Sequence, residues 1–276
     1  MNKVFDCFTF FDETDLLSIR LHTLNDVVDQ FVLVESTITQ AGTKKDLVYD
    51  KVKNDPEFAP FKDKITHIIV DDPPSAKPMS HNTKTSPRWE NEGHQRDCIS
   101  RGLRDIDDTD LIFISDVDEI INPLIVPQLA PLRGPFWPIQ NFYYYFMDCK
   151  LNHSDNISFC CRKEHLDAHK NITDLKNNRR FMFRPRMHGG WHFSYLMSPS
   201  RIQQKIQLMA DSHFSREEIW NLGHIKHCVE SPCDLFGRQH KNPAYNMKIV
   251  QNTNTLPKYI LDNMDKYQKY FYPGSV

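Results

Sequence analysis

The chain has 276 residues, of which 39% are hydrophobic and 25% charged, enough for one large domain or for one domain with an appended lobe. Its 34 basic and 36 acidic residues leave a net charge of −2, which excludes the basic footprint of a nucleic-acid binder. No apolar stretch reaches the length of a membrane span.

Residues 3–10, rich in Val, Phe and Thr, predict a first strand. Asp12 is placed to cap a following helix, with Asp15 as its capping-box partner. Leu17, Leu21, Leu24 and Val28 give that helix one apolar stripe. Residues 30–35 read as a second strand, 36–60 as irregular, and 64–70 as a third strand. The Pro-rich stretch 71–88 reads as a long surface loop and a candidate flap. A helix is predicted over 90–103, with Gln95, Ile99 and Leu103 on one side, followed by a strand over 110–115. Strands alternating with helices predict an α/β fold, a single Rossmann-like domain with a mostly parallel central sheet flanked by helices. Ligands in such sheets bind beyond the carboxyl ends of the strands. After Pro123 the pattern loosens. An aromatic run at 142–146 suits a strand, 162–180 reads as loop, and Pro199 opens a helix over 198–210 carrying Ile202, Ile206 and Met209. The C-terminal third mixes helix and loop.

Seven Cys form no Cys-x-x-Cys spacing, as expected of reduced thiols. The N-terminus meets Asp6 too early for a signal peptide, so a cytosolic chain is expected, in which the sequons at Asn152, Asn156 and Asn171 are chance.

The chemistry concentrates where the fourth strand ends, at Asp116, Asp118 and Glu119. In an extended chain Asp116 and Asp118 point the same way. Two carboxylates there repel unless a cation lies between them, and oxygen ligands suit Mg²⁺ or Mn²⁺. His188-Gly189-Gly190-Trp191-His192 is a second cluster. Its glycines permit close backbone approach to a ligand, Trp191 offers a stacking face, and His192 or His188 could complete a metal shell. Arg96 can pair a diphosphate or hold the first aspartate, and Glu35 can accept hydrogen bonds from a ribose or base. Lys44 and Lys45 read as a solvated pair. Hydrolase, zinc-protease, phosphate-loop and dinucleotide fingerprints are absent, and with nine Gly a diphosphate must be held by a cation rather than a glycine loop.

Further stretches match one family. They are Phe10-Phe11-Asp12-Glu13-Thr14-Asp15-Leu16-Leu17-Ser18-Ile19-Arg20-Leu21, Val27-Val28-Asp29, Val32-Leu33-Val34-Glu35-Ser36, Phe58-Ala59-Pro60-Phe61 and Lys64-Ile65. Gln95-Arg96, Ile114-Ser115-Asp116-Val117-Asp118-Glu119-Ile120, Gly190-Trp191-His192-Phe193-Ser194-Tyr195 and Asp234-Leu235-Phe236-Gly237-Arg238 continue them in order. On these residues the chain resembles the family 17 glycosyltransferases, whose animal members add the bisecting N-acetylglucosamine to N-glycans. The resemblance implies a GT-A fold, a UDP-sugar donor, a glycan acceptor, Mn²⁺ or Mg²⁺ as cofactor, and inversion at the anomeric carbon. N-acetylglucosamine follows from the family, while xylose or another hexose on UDP stays open. Residues 1–123 then form the nucleotide-sugar half and 124–276 the acceptor half of one domain. The expected donor-binding residues are Phe8, Glu35, Arg96, Asp116 and Trp191, and the expected metal ligands Asp116, Asp118 and His192. Inversion needs a carboxylate base, for which Asp148, Asp174 and Asp234 lie in suitable polar stretches. The chain departs from the animal members in lacking a membrane anchor and stem, and in carrying Asp97 where Asn is expected. A cytoplasmic protein of viral or microbial origin is the matching expectation. Two alternatives are a metal-dependent sugar nucleotidyltransferase, whose glycine-rich loop is missing here, and a non-catalytic glycan-binding module built on the aromatics.

Overall fold

A computed structural model describes residues 2–77, 87–178, 182–183, 187–210, 217–251 and 253–275 of the chain. Four apolar runs of the N-terminal part become neighbouring parallel strands: β1 (Val4–Phe10), β2 (Gln30–Ser36), β3 (Ile65–Val70) and β4 (Leu111–Asp116), in the order β3-β2-β1-β4. Strands covered on both faces need apolar side chains at odd and even positions alike. Phe8, Phe31, Leu33 and Phe113 enter one core together with Leu17, Leu21, Leu24 and Val28, the predicted stripe of α1 (Thr14–Leu24) and the turn after it. Cys7, Val32, Val34, Ile112 and Ile114 enter a second core with Ile99 and Leu103.

Several local expectations change. Glu13, not Asp12, holds the cap position of α1, no side chain caps it, and Asp12 pairs with Arg201 instead. The stretch expected to be irregular contains α2 (Val48–Val52) and a 3₁₀ turn over Ala59–Lys64. Residues 71–77 have no regular structure, and 78–86, the centre of the predicted flap, lie outside the described residues. The helix expected over 90–103 is α3 (Pro87–Asp97), tightened into a 3₁₀ turn at Cys98–Gly102.

The single, mostly parallel sheet is replaced by two five-stranded sheets, both mixed. β9 (Phe159–Cys161) adds antiparallel to β4. The second sheet, in the order β12-β8-β7-β11-β5, comprises β5 (Glu119–Ile121), β7 (Gln140–Tyr144), β8 (Cys149–Asp155), β11 (Gly190–Ser194) and β12 (Met247–Ile249). Only β11 and β7 run parallel in it. The two sheets exchange strands across residue 123, because β5 leaves the first half and β9 returns from the second. A pair β6 (Trp137–Pro138) and β10 (Met182–Phe183) stands apart. The stretch expected to loop at 162–180 holds α5 (Lys163–Asp167) and α6 (Ile172–Asn177), which follow the short α4 (Val126–Leu129). α7 (Pro199–Leu208) begins at Pro199 as expected and buries Ile202 and Ile206. Among the described residues no helix is long and apolar enough to cross a membrane.

Candidate active site

The sheet order turns at β1: the chain adds β2 and β3 on one side, then crosses through α3 to add β4 on the other. Such a reversal leaves a crevice beyond the carboxyl ends of the two central strands. Here it is a cleft of about 270 Å³, with Thr9 and Phe10 from β1, Asp116 from β4, and Lys205 from α7 in its walls.

The strand ends at Asp116, and residues 117–118 form a turn into β5, so the two aspartates do not share one extended segment. Asp116 accepts from Thr9 Oγ1 at 2.7 Å and from Arg96 Nη2 at 3.1 Å. Burial alone would raise its carboxyl, yet the Arg96 and Lys176 charges and the Thr9 hydrogen bond hold it well below the usual carboxylate range. Arg96 is buried on α3 and also donates to Glu92 Oε1 at 2.6 Å. Burial opposes its charge, and the two carboxylates more than reverse that, raising it. Asp118 turns the other way: its Oδ2 lies 3.6 Å from Lys205 Nζ and 3.9 Å from His192 Nε2. Lys205 also reaches Glu13 Oε1 at 3.2 Å. Burial would lower the Lys205 ammonium, but Glu13 and Asp118 raise it well above its ordinary value. The reverse holds at Glu13, where burial pushes up and the Lys205 charge brings the carboxyl below the usual range. Glu119 serves the turn itself, accepting from the Asp116 backbone N–H and from Ser158 Oγ, both at 3.0 Å.

Asp116, Asp118, Arg96 and His192 therefore line one cleft. The other expected residues lie elsewhere. Phe8 is fully buried beneath the Arg20 guanidinium, 4.4 Å from its ring centre. Glu35 is fully buried and accepts from Lys45 Nζ at 2.8 Å and from the Val48 and Tyr49 backbone N–H groups at 2.6 and 3.2 Å, which leaves a ribose no access. Trp191 is buried, with its Nε1 donating to the Thr255 carbonyl at 2.6 Å, so its face is not offered to a ligand. Gly190, at φ +146°, meets protein rather than ligand: a Cβ there would lie 2.2 Å from the Ile120 carbonyl. Asp148 is buried and bound by Ser275 Oγ and the Tyr272 backbone N–H, Asp174 pairs with His169 at 2.9 Å, and buried Asp234 holds Arg238 at 2.5 Å. None of these three lines the cleft. Lys45 does: its side chain is 11% exposed, and it packs over Phe11 and binds Glu35 rather than standing in solvent.

Asp118 and His192 present oxygen and imidazole donors to the cleft, and the Asp118 carboxylate makes only long contacts, so the set fits a hard divalent cation once Lys205 yields. Among the described residues one tighter group of ligand-type side chains exists, Asp72, His94 and Cys98, within 4.8 Å of one another. Both terminal guanidinium nitrogens of Arg101 bind Asp72 and bring its carboxyl to about 2, while burial lifts Cys98 to about 11. A cation there would compete with a bound guanidinium.

The model of glycosyltransferase family 17 matches residues 1–276, the whole chain. The chain belongs to glycosyltransferase family 17. It is similar to the beta-1,4-mannosyl-glycoprotein 4-beta-N-acetylglucosaminyltransferase of Rattus norvegicus, 23% identical over 301 residues, covering 96% of this chain and 54% of that protein. The Homo sapiens protein of the same name is 23% identical over 290 residues, covering 92% of this chain and 52% of its own length. This family 17 chain thus spans about half the length of the curated relatives it matches.

Sequence reasoning missed Glu13 and Lys205 as walls of this family 17 cleft, and Arg20 as the buried side chain that supports its turn from behind. Glu13 and Arg20 lie inside the longest matching stretch, which was a usable signal. Lys205 gave none, being one polar residue among several on an amphipathic helix.

Proposed function

We propose that the chain transfers a sugar from a UDP-sugar to a glycan hydroxyl, by inverting displacement on a GT-A-type scaffold assisted by Mn²⁺ or Mg²⁺. The observation that carries this reading is Asp118, which faces Lys205 and His192 in a cleft at the sheet's switch point. Membership of the family favours it over a nucleotidyltransferase or a glycan-binding module. The names of the relatives support N-acetylglucosamine as the sugar and a mannosyl glycoprotein as the acceptor.

Asp118 and His192 would hold the cation, which when bound supplies charge neutralisation to the departing diphosphate. The chain's own groups do the rest. Arg96 and Thr9 fix Asp116 toward the ribose side, and Lys205 adds a second positive charge for the phosphates. Glu13 takes the role of base on its position: its carboxylate lines the cleft and would accept the acceptor hydroxyl's proton, while the Lys205 charge keeps it ionised at a cost in basicity. The test is a panel of UDP-sugars with Mn²⁺ and a mannosyl glycopeptide. Transfer from UDP-N-acetylglucosamine supports the reading, and a panel in which no nucleotide sugar is consumed overturns it.

A further inference from the structure

A second recess opens beside the cleft, and the two share Ile157, His192, Ser194, Tyr195 and Met209. Its remaining wall is largely aromatic, with Phe142, Tyr144, Phe236 and Tyr245, joined by His153 and Arg238. Arg238 is built in rather than loose. Asp234 holds it through Nε at 3.0 Å and Nη2 at 2.5 Å, Tyr144 Oη accepts from it at 3.3 Å, and it packs 5.0 Å from the Phe236 ring centre and 4.1 Å from that of Tyr245. His153 stacks on Tyr245 with centroids 5.6 Å apart. Tyr195, on the shared wall, has φ +54°, and Tyr145, whose N–H donates to the Ser194 carbonyl beside it, has φ +65°. Non-glycine residues are strained in that region, and those that hold it gather at binding sites.

We infer that this recess seats a neutral pyranose ring of the acceptor glycan, placed so that its reacting hydroxyl enters the cleft past His192 and Ser194. Part-exposed Phe236 and Tyr245 offer apolar ring surface to the C–H face of a sugar, buried Phe142 and Tyr144 back the wall, and Arg238, His153 and Ser194 offer hydrogen bonds to hydroxyls around its edge. No carboxylate lines the recess among the described residues, which argues against a cationic peptide as occupant. Asp234 is then a positioning residue that fixes Arg238, rather than a base. The inference rests on reading the cleft as the donor site.

The test uses Phe236→Ala, with Phe236→Tyr as the conservative control, and measures acceptor KM, kcat and UDP affinity separately. The expected result with a mannosyl glycopeptide is an acceptor KM raised about tenfold or more in Phe236→Ala and restored in Phe236→Tyr, with UDP binding as in the unaltered chain. If Phe236→Ala fails to fold, His153→Ala on the facing wall takes its place with the same expectation. Normal UDP binding with unchanged acceptor KM in a folded variant overturns the inference. Failure of the unaltered chain to bind UDP would instead strike the donor-site reading.

Discussion

The guanidinium of Arg20 and the carboxylate of Asp6 form a bidentate pair, at 2.7 and 2.6 Å, with both side chains completely buried. From that anchor Arg20 Nη1 donates to the Asp116, Val117 and Glu119 carbonyls at 2.9, 3.3 and 3.0 Å, and Nη2 donates to Ser115 Oγ at 2.5 Å. One side chain from α1 thus carries the turn that presents Asp118. Arg20→Ala leaves Asp6 buried without its cation and should cost about 3–5 kcal/mol. Arg20→Lys supplies a point charge that cannot serve the three carbonyls, so it should recover only part of the loss. Urea unfolding of both variants checks this, and a near-neutral Arg20→Ala would refute it.

Lys205 stands between Glu13 and Asp118 as a resident cation. Lys205→Met should destabilise the chain by about 1–3 kcal/mol in EDTA, because two poorly hydrated carboxylates lose their partner. Mn²⁺ should restore more of the melting temperature to the variant than it adds to the unaltered chain. Equal Mn²⁺ effects on both would separate Lys205 from the metal site.

Asp116 sets part of the acid stability. Its folded carboxyl titrates below the ordinary range near 4, so its stabilisation is present above that pH and is lost as pH falls below it. Asp116→Asn should lower stability at pH 6 and flatten the decline between pH 4 and lower values. Urea titrations across that range, read as the difference between the two chains, test the sign. An identical acid slope would count against the Arg96–Asp116 pair.

Gly190 joins β11 to β5 with φ +146° and no room for a Cβ. Gly190→Ala should cost about 2–4 kcal/mol, combining backbone strain with the clash against the Ile120 carbonyl. His192 sits two residues on, paired with Glu119 across the same strands, so Mn²⁺ affinity should fall along with stability. Calorimetry of the variant with and without Mn²⁺ measures both.

The four parallel strands of the first sheet were legible because β2 and β4 hold apolar runs of strand length and β1 and β3 are rich in Val, Ile and Phe around a few polar residues, each followed by polar turns. The second sheet was not. β5 and β12 are three residues each, and β8 carries Lys150, Asn152 and His153, which break any alternation. The Asp116–Asp118 corner was readable from composition at a strand end, but its partners were not. Lys205 and Asp118 are far apart in the chain and meet only through the packing of α7 against the turn. Glu35 and Trp191 misled because a polar or aromatic residue at a strand end looks the same in sequence whether it faces a ligand or the protein's own backbone. Glu35 caps the start of α2 and Trp191 tethers the loop at Thr255.

The most direct measurement is calorimetric titration of UDP into the unaltered chain and into Asp118→Asn, each with Mn²⁺ and with EDTA. The account predicts UDP binding to the unaltered chain with Mn²⁺, and loss of that binding in EDTA and in the Asn variant under both conditions. UDP bound as tightly by Asp118→Asn with Mn²⁺ as by the unaltered chain would contradict it.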